Sequence, residues 1–338
     1  MKRVVVSTEL HEADIRPPQL LSEFKRLSVQ DAARFFSDPA KLVDVENPST
    51  GKGPSRFVFE KDGFRYNQSE SCGSVFVSPR PTREALADYY RNSEASKFRV
   101  QHYSKETEEA RRRHLLRTHT NWMGQLYDEA GNPDARSFVD IGTNNPGIFD
   151  EVKSLEIFET YYSLNPLPGI EEECEKRGVV VIHEPIRDAG AVTAFQQLES
   201  QFSPLEYTKT ACDMLAIDGL FFFTTRTITG FDLQMLWDKT PYLFVPEHLN
   251  LLSIAGLNQL VSHAGLDLVE LSTPGQLDVE LTRHAMREDP SIEVPPFIRY
   301  LLEECDHLAH ADFQEYLQKH RLSSHVRVAA ARREGVSA

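Results

Sequence analysis

The spacing of apolar and polar positions changes twice along the chain. Up to about residue 85 helical periodicity is sparse and turn formers are frequent, as in "RPPQ", "ENPSTGKGPS", "EKDG" and "SPRPT". The pattern predicts a small β unit there, with "RFVFEKDGFRYNQS" forming two strands that turn at Lys61-Asp62-Gly63 and "GSVFVS" adding another. From Thr82 to about Met123 the rhythm becomes helical. "TREALADYYRNS" opens with a Thr cap, and "SKETEEARRRHLLRTHTNWM" carries charges at helical spacing. Within it, Arg111, Arg112 and Arg113 read as a solvated face balanced by Glu106, Glu108 and Glu109.

From Ser137 short apolar runs alternate with helical segments. "SFVDIG", "ETYYSLNP", "GVVVIHEP", "GAVTAF", "GLFFFTT", "LDLVELSTP" and "SHVRVAAAR" read as strands. Between them "PGIFDEVKSL", "GIEEECEKRG", "SPLEYTKTACDML", "SIAGLNQLVSHAG" and "PPFIRYLLEECDHLAHADFQEYLQKH" read as helices, the last as one or two. Strands that are apolar on both faces and separated by helices imply a parallel sheet covered on both sides. The expected class is therefore doubly wound α/β. The chain divides into an N-terminal unit (1–85), a helical linker (86–125) and the α/β domain (126–338).

The first strand-to-helix loop of such a sheet is its usual ligand cradle, and here it reads "DIGTNNPG". Gly142 allows the chain to turn without a Cβ penalty, Asn145 can cap the following helix, and Pro146 suits the first helical position. The loop lacks two glycines of the dinucleotide fingerprint and has no Gly-Lys-Ser/Thr, which argues against NAD, FAD and a P-loop. Taken alone, it fits a structural turn as well as a cofactor site.

Composition narrows the partners. With 37 Lys and Arg against 51 Asp and Glu, the formal charge is −14, which disfavours nucleic acid and anionic membranes. The apolar runs are too short to span a bilayer and the N-terminus lacks the pattern of a secretory signal, so a cytoplasmic location is expected. Cys72, Cys174, Cys212 and Cys305 are widely spaced without a Cys-x-x-Cys pair, consistent with reduced, ordinary cysteines.

The order of "FVDIGTNNPGIFDEV", "VTAFQQLESQFSPLEYTKTACDMLAIDGLFFFTTRTITGFDLQMLWDK", "VPEHLNLLSIAGLNQLVSHAGLDLVELSTPGQLDVEL" and "LSSHVRV" resembles class I S-adenosylmethionine (SAM)-dependent methyltransferases. More narrowly, it resembles the bacterial subfamily with an N-terminal zinc ribbon, often associated with sugar and surface-polysaccharide modification. "KLVDVENPSTG", "FEKDGFRYNQSESCGSVFVSPRPT" and "YYRNSEASKF" extend the likeness to the N-terminal part. The resemblance implies a Rossmann-like seven-stranded sheet with SAM across the tips of its first two strands. Asp140, Gly142, Thr143, Asn144 and Gly147 match the family's cofactor loop, Asn165 its ribose position, and Phe195, Gln196 and Glu199 the segment bordering adenine and substrate. His248 and Asn250 match a substrate-side loop.

Several positions depart from the family pattern. The ribbon cysteines would fall at Asn47, Thr50, Ser69 and Cys72, so loss of zinc is expected. The Glu-His pair after the fourth strand reads Glu199-Ser200, which leaves His248 as the first candidate for general base and Glu199 as the second. His248 can equally be a loop histidine bonded to backbone. Two functions remain: methylation of a hydroxyl or carbon on a small, sugar-like acceptor, or a methyltransferase fold that has lost its chemistry and serves as a binding or assembly module.

Overall fold

The computed structural model describes residues 10–333, so most of the opening stretch read for a secretory signal lies outside the described residues. In the N-terminal part the strands are β1 (Leu42–Val43), β2 (Ser55–Lys61), β3 (Phe64–Ser69), β4 (Val75–Val77) and β5 (Arg80–Pro81). In the rest they are β6 (Ser137–Ile141), β7 (Thr160–Leu164), β8 (Val180–Ile182), β9 (Ala189–Phe195), β10 (Leu215–Arg226), β11 (Asn250–Leu251), β12 (Asp267–Ser272) and β13 (His325–Ala331).

The central sheet has the order β12-β13-β10-β9-β6-β7-β8. From β10 to β8 all neighbours are parallel, whereas β13 runs antiparallel between β10 and β12. This is the Rossmann-like class I sheet expected above. The sheet is buried on both faces, which is why β9 is buried at every position. Alternation sends Phe221 and Phe223 of β10 to one face with Val192, Leu257 and Val328, and Phe222 to the other with Phe138, Phe149 and Trp122. Chain order reverses at β6, with β7 on one side and β9 on the other, and the crevice beyond such a switch point is where ligands collect.

Two features of the N-terminal part differ from the sequence reading. Pro18–Phe35 is an 18-residue helix in a stretch that read as poor in helical periodicity. Its inner face carries Ser28 and Asp31 beside Phe24, Ala32 and Phe35, which weakens the apolar stripe. Asp31 is buried because its carboxylate accepts the Ala95 N–H at 2.8 Å. Second, the antiparallel sheet β11-β4-β3-β2 takes its edge strand from residues 250–251, with Asn250 opposite Phe76 and Leu251 opposite Val75. Buried Arg80 reinforces the junction by donating to the carbonyls of Val77, Phe202 and Leu249 at 3.0, 2.7 and 3.4 Å.

At the positions matched to zinc ligands the chain makes two similar turns. Gly51 donates to Asn47 O at 2.8 Å and Gly73 to Ser69 O at 2.9 Å, with φ of 76° and 75° at the two glycines. The side chains do not fit zinc. Asn47 turns its amide N–H groups toward Ser71 Oγ (3.2 Å) and Cys72 Sγ (3.7 Å), and a donor cannot ligate a cation. No cluster of three or more potential metal ligands occurs among the described residues, and no described helix is long and apolar enough to cross a membrane.

Candidate functional site

A cavity of about 750 Å³ opens beyond the carboxyl ends of β6, β7 and β9. Each of these three strands is followed directly by a residue with left-handed backbone: Gly142 (φ 67°), Asn165 (φ 48°) and Gln196 (φ 55°). Glycine adopts this conformation freely and asparagine tolerates it, but for glutamine it is strained and persists only where the surroundings impose it. The imposing contacts are ladder bonds. Gly142 N–H donates to Leu164 O at 2.8 Å, Asn165 N–H to Ile182 O at 2.9 Å, and Gln196 N–H to Thr224 O at 2.9 Å. Each tip is thus pinned to the next strand while the chain bends away toward the cavity.

Gln197 and Tyr207 close the loop from beneath. Gln197 Nε2 donates to Gly142 O at 2.8 Å and Tyr207 OH to Ile141 O at 3.1 Å. A Cβ on Gly142 would lie 3.2 Å from Gln197 Oε1. Asn145 Oδ1 accepts the Gly147 N–H at 3.0 Å, bracing the turn into the helix Gly147–Lys153, while Leu167 N–H donates to Thr143 O at 2.9 Å.

The residues singled out in the sequence divide by position. Gly142, Asn144, Asn165, Gln196, Glu199 and His248 line the cavity. Asp140, Thr143, Gly147 and Phe195 do not line it and lie behind the lining. Asp140 accepts the Thr193 hydroxyl at 2.6 Å, and burial raises its pKa to about 6 against the opposing hydrogen bonds from Thr193 and Thr143. Thr143 Oγ1 is 2.7 Å from Ser163 Oγ, tying β6 to β7. Gly147 is buried within the helix start, and Phe195 packs on the His119 ring with centroids 4.8 Å apart. Asn250 is structural in its contacts: Nδ2 donates to the carbonyls of Leu198, Glu199 and Gln201 at 3.1, 3.3 and 2.7 Å.

Glu199 and His248 occupy different electrostatic settings. Glu199 Oε1 accepts the Arg226 N–H at 2.8 Å, whereas Oε2 is buried with no hydrogen-bond partner, and burial raises the carboxyl pKa. His248 lies with Nδ1 3.3 Å from Phe244 O. Burial, and then the guanidinium of Arg226, push its pKa down to about 3, with Arg16 and Arg99 adding to the effect. Its imidazole is therefore neutral and feebly basic at pH 7.

The three consecutive arginines do not form one solvated face. Arg111 lines the cavity and donates to Gln196 Oε1 at 3.1 Å, Arg112 pairs with Glu151 at 2.6 Å, and Arg113 is exposed. Consecutive residues on a helix point about 100° apart, which was a signal available from the sequence. A π-helical stretch, Arg112–Leu116, begins at this point. Arg16, in the turn-forming "RPPQ", and Gln197, beside the matched Gln196, were also missed.

Solved structures of similar fold include a chain from the complex between the Haloferax volcanii Trm112 methyltransferase activator and a methyltransferase. It is 11% identical, covering 69% of this chain and 97% of that one, with a TM-score of 0.44. A SAM-dependent methyltransferase from Clostridium acetobutylicum is 8% identical, covering 68% and 99%, at 0.41. Geranyl diphosphate methyltransferase in complex with SAM is 12% identical, covering 67% and 90%, also at 0.41. No curated protein matches the chain. The family model of a methyltransferase domain matches residues 108–271, from the helix of Arg111 into β12, and so takes in the three strand tips and the loop of His248. Over residues 108–271, just under half of the chain, the sequence is thus similar to a methyltransferase domain.

Proposed function

We propose that the protein methylates a hydroxyl or carbon of a small, polar, sugar-like acceptor, with SAM held at the tips of β6, β7 and β9. The observation that carries this reading is the set of three left-handed tip residues, Gly142, Asn165 and Gln196, all turned out at one cavity. Backbone strain of this kind is maintained at ligand sites. Bound SAM supplies a methyl group on a sulfonium sulfur, already activated for displacement. The protein then has to orient the acceptor and take up its proton. Gly142 and Asn144 form the near wall of the cradle. Asn165 presents a neutral amide at the ribose position, with its Oδ1 3.0 Å from His183 Nδ1.

Glu199 is the proton acceptor in this reading. Its Oε2 is free of hydrogen bonds, its raised pKa makes the carboxylate a stronger base, and Oε1 is fixed by the Arg226 N–H. His248, first choice on sequence grounds, is too weak a base where Arg226, Arg16 and Arg99 face it. Calorimetric titration of the purified protein with SAM tests the function, and a saturable heat at one site per chain is expected. A flat titration would leave the fold as a binding or assembly module without transfer chemistry.

A further inference from the structure

Beyond the cofactor cradle, the charge of the cavity lining is opposite to that of the chain. Seven arginines and three carboxylates are among its lining residues, in a protein of formal charge −14. Several of these arginines have a carboxylate partner: Arg99 pairs with Glu247 at 2.6 Å, Arg226 with Asp232, Arg83 with Glu206, and Arg327 with Glu270 at 3.6 Å. Arg16 and Arg111 differ. Arg111 has only the neutral Gln196 Oε1, at 3.1 Å, and no carboxylate among the described residues pairs with it. Arg16 lies over the Tyr242 ring at 5.8 Å, and its Nη1 is buried with no hydrogen-bond partner. The two come together because the helix Glu12–Ile15, which Arg16 ends, packs on the helix Glu108–Arg111.

A partly buried guanidinium without a counter-charge is costly, and a second one nearby adds repulsion. The fold tolerates this pair at the wall of a cavity large enough for two ligands, where an incoming group can supply the missing charge. We propose that the methyl acceptor is an organic oxyanion, a carboxylate or a phosphate ester, held between Arg16 and Arg111. This rests on the methyl-transfer reading above and specifies its acceptor. Arg111 also bonds Gln196 at the tip of β9, so the clamp is anchored beside the cofactor cradle and holds the anion's uncharged portion toward Glu199. The excess of positive potential is felt by His248 and His325, two of the four histidines in the wall. Burial and Arg226 depress His248, and burial and Arg327 bring His325 down to about 4, with Arg16 acting on each.

The test uses the full chain at constant ionic strength set with potassium chloride. Inorganic phosphate is titrated in one arm and acetate in another, each followed by thermal shift and calorimetry, with a parallel SAM titration of the wild type. Saturable binding of at least one anion is expected, weakened on the order of tenfold or more in Arg16→Gln, because a charge-assisted bond to the guanidinium is lost. Which arm responds tells a phosphate ester from a carboxylate. Arg111→Gln is the second variant, should Arg16→Gln fail to fold, and is expected to lose a similar factor. Binding of SAM with neither anion bound, or anion affinity unchanged in a folded variant of either arginine, overturns the clamp and leaves methyl transfer standing. Anion binding that depends on Arg16, without SAM binding, supports the clamp and removes the methyl-transfer reading.

Discussion

Replacing Gly142 by valine perturbs the β6 tip at its most constrained point. With φ at 67°, any L-residue pays about 1–2 kcal/mol for the left-handed conformation, and β-branching adds to it. The new Cβ would stand 3.2 Å from Gln197 Oε1, so Gln197 must shift and its bond to Gly142 O, worth about 1 kcal/mol, weakens. The sum is about 2–3 kcal/mol, concentrated in the loop. If the loop relaxes into a shape that must be reversed to bind SAM, that strain appears as a rise in Kd of roughly 30- to 150-fold. Unfolding should stay cooperative, with Tm lowered by about 10 °C at most. Gly142→Ala keeps the φ penalty but places only a methyl against the movable end of Gln197, so its effect should be smaller, about tenfold. Calorimetry with SAM and a thermal melt on each variant supply both numbers. A folded Gly142→Val protein that binds SAM as tightly as wild type refutes the assignment of this turn to the cofactor.

Glu199→Gln keeps an acceptor for the Arg226 N–H but removes the base, so turnover on an identified acceptor should fall on the order of 10²–10⁴-fold while SAM affinity measured calorimetrically changes little. Equal turnover would exclude Glu199 as the proton acceptor. For Asp140 the folded pKa of about 6 exceeds the ordinary 3.8, so the native state holds the proton more tightly than the unfolded chain between those values. Its contribution to stability is therefore fully present below about pH 4 and is lost as pH rises through 6, a swing of about 3 kcal/mol. Asp140→Asn should flatten that part of the stability–pH curve in urea melts and leave the protein more stable than wild type at pH 7, and a curve identical to wild type would show that Asp140 is not the group responsible.

The legibility of the chain followed the environment of each residue. The runs "GAVTAF" and "GLFFFTT" announced central strands because both faces of the sheet are buried, leaving polar side chains few places along them. The first cofactor loop was legible because a glycine at a strand end and an Asn-Pro helix start have local meanings. Pro18–Phe35 was hidden because Ser28 and Asp31 interrupt its inner face, and the Ala95 N–H that Asp31 accepts is far away in the chain. β11 is two residues long, and it forms only because β4, far away in the chain, offers an edge. Arg111 was assigned to solvent from the balance of local charge, whereas its direction is set by helix phase and by the cavity that the strand tips create. The strained φ at Gln196 had no local sign, since glutamine is not a turn former and tertiary bonds impose its conformation.

The pairing of β4 with β11 also bears on how the chain is made. During synthesis the N-terminal part emerges first, yet β4 lacks its neighbour until Asn250 and Leu251 have left the ribosome. At about 5–20 residues per second that interval is on the order of ten seconds or more. Throughout it, Val75, Phe76 and Val77, all fully buried in the finished fold, belong to an open sheet edge of the sort that invites pairing with other chains. Arg80 has the same delay, because its carbonyl partners at Phe202 and Leu249 arrive late as well. The N-terminal unit is thus begun first and completed late.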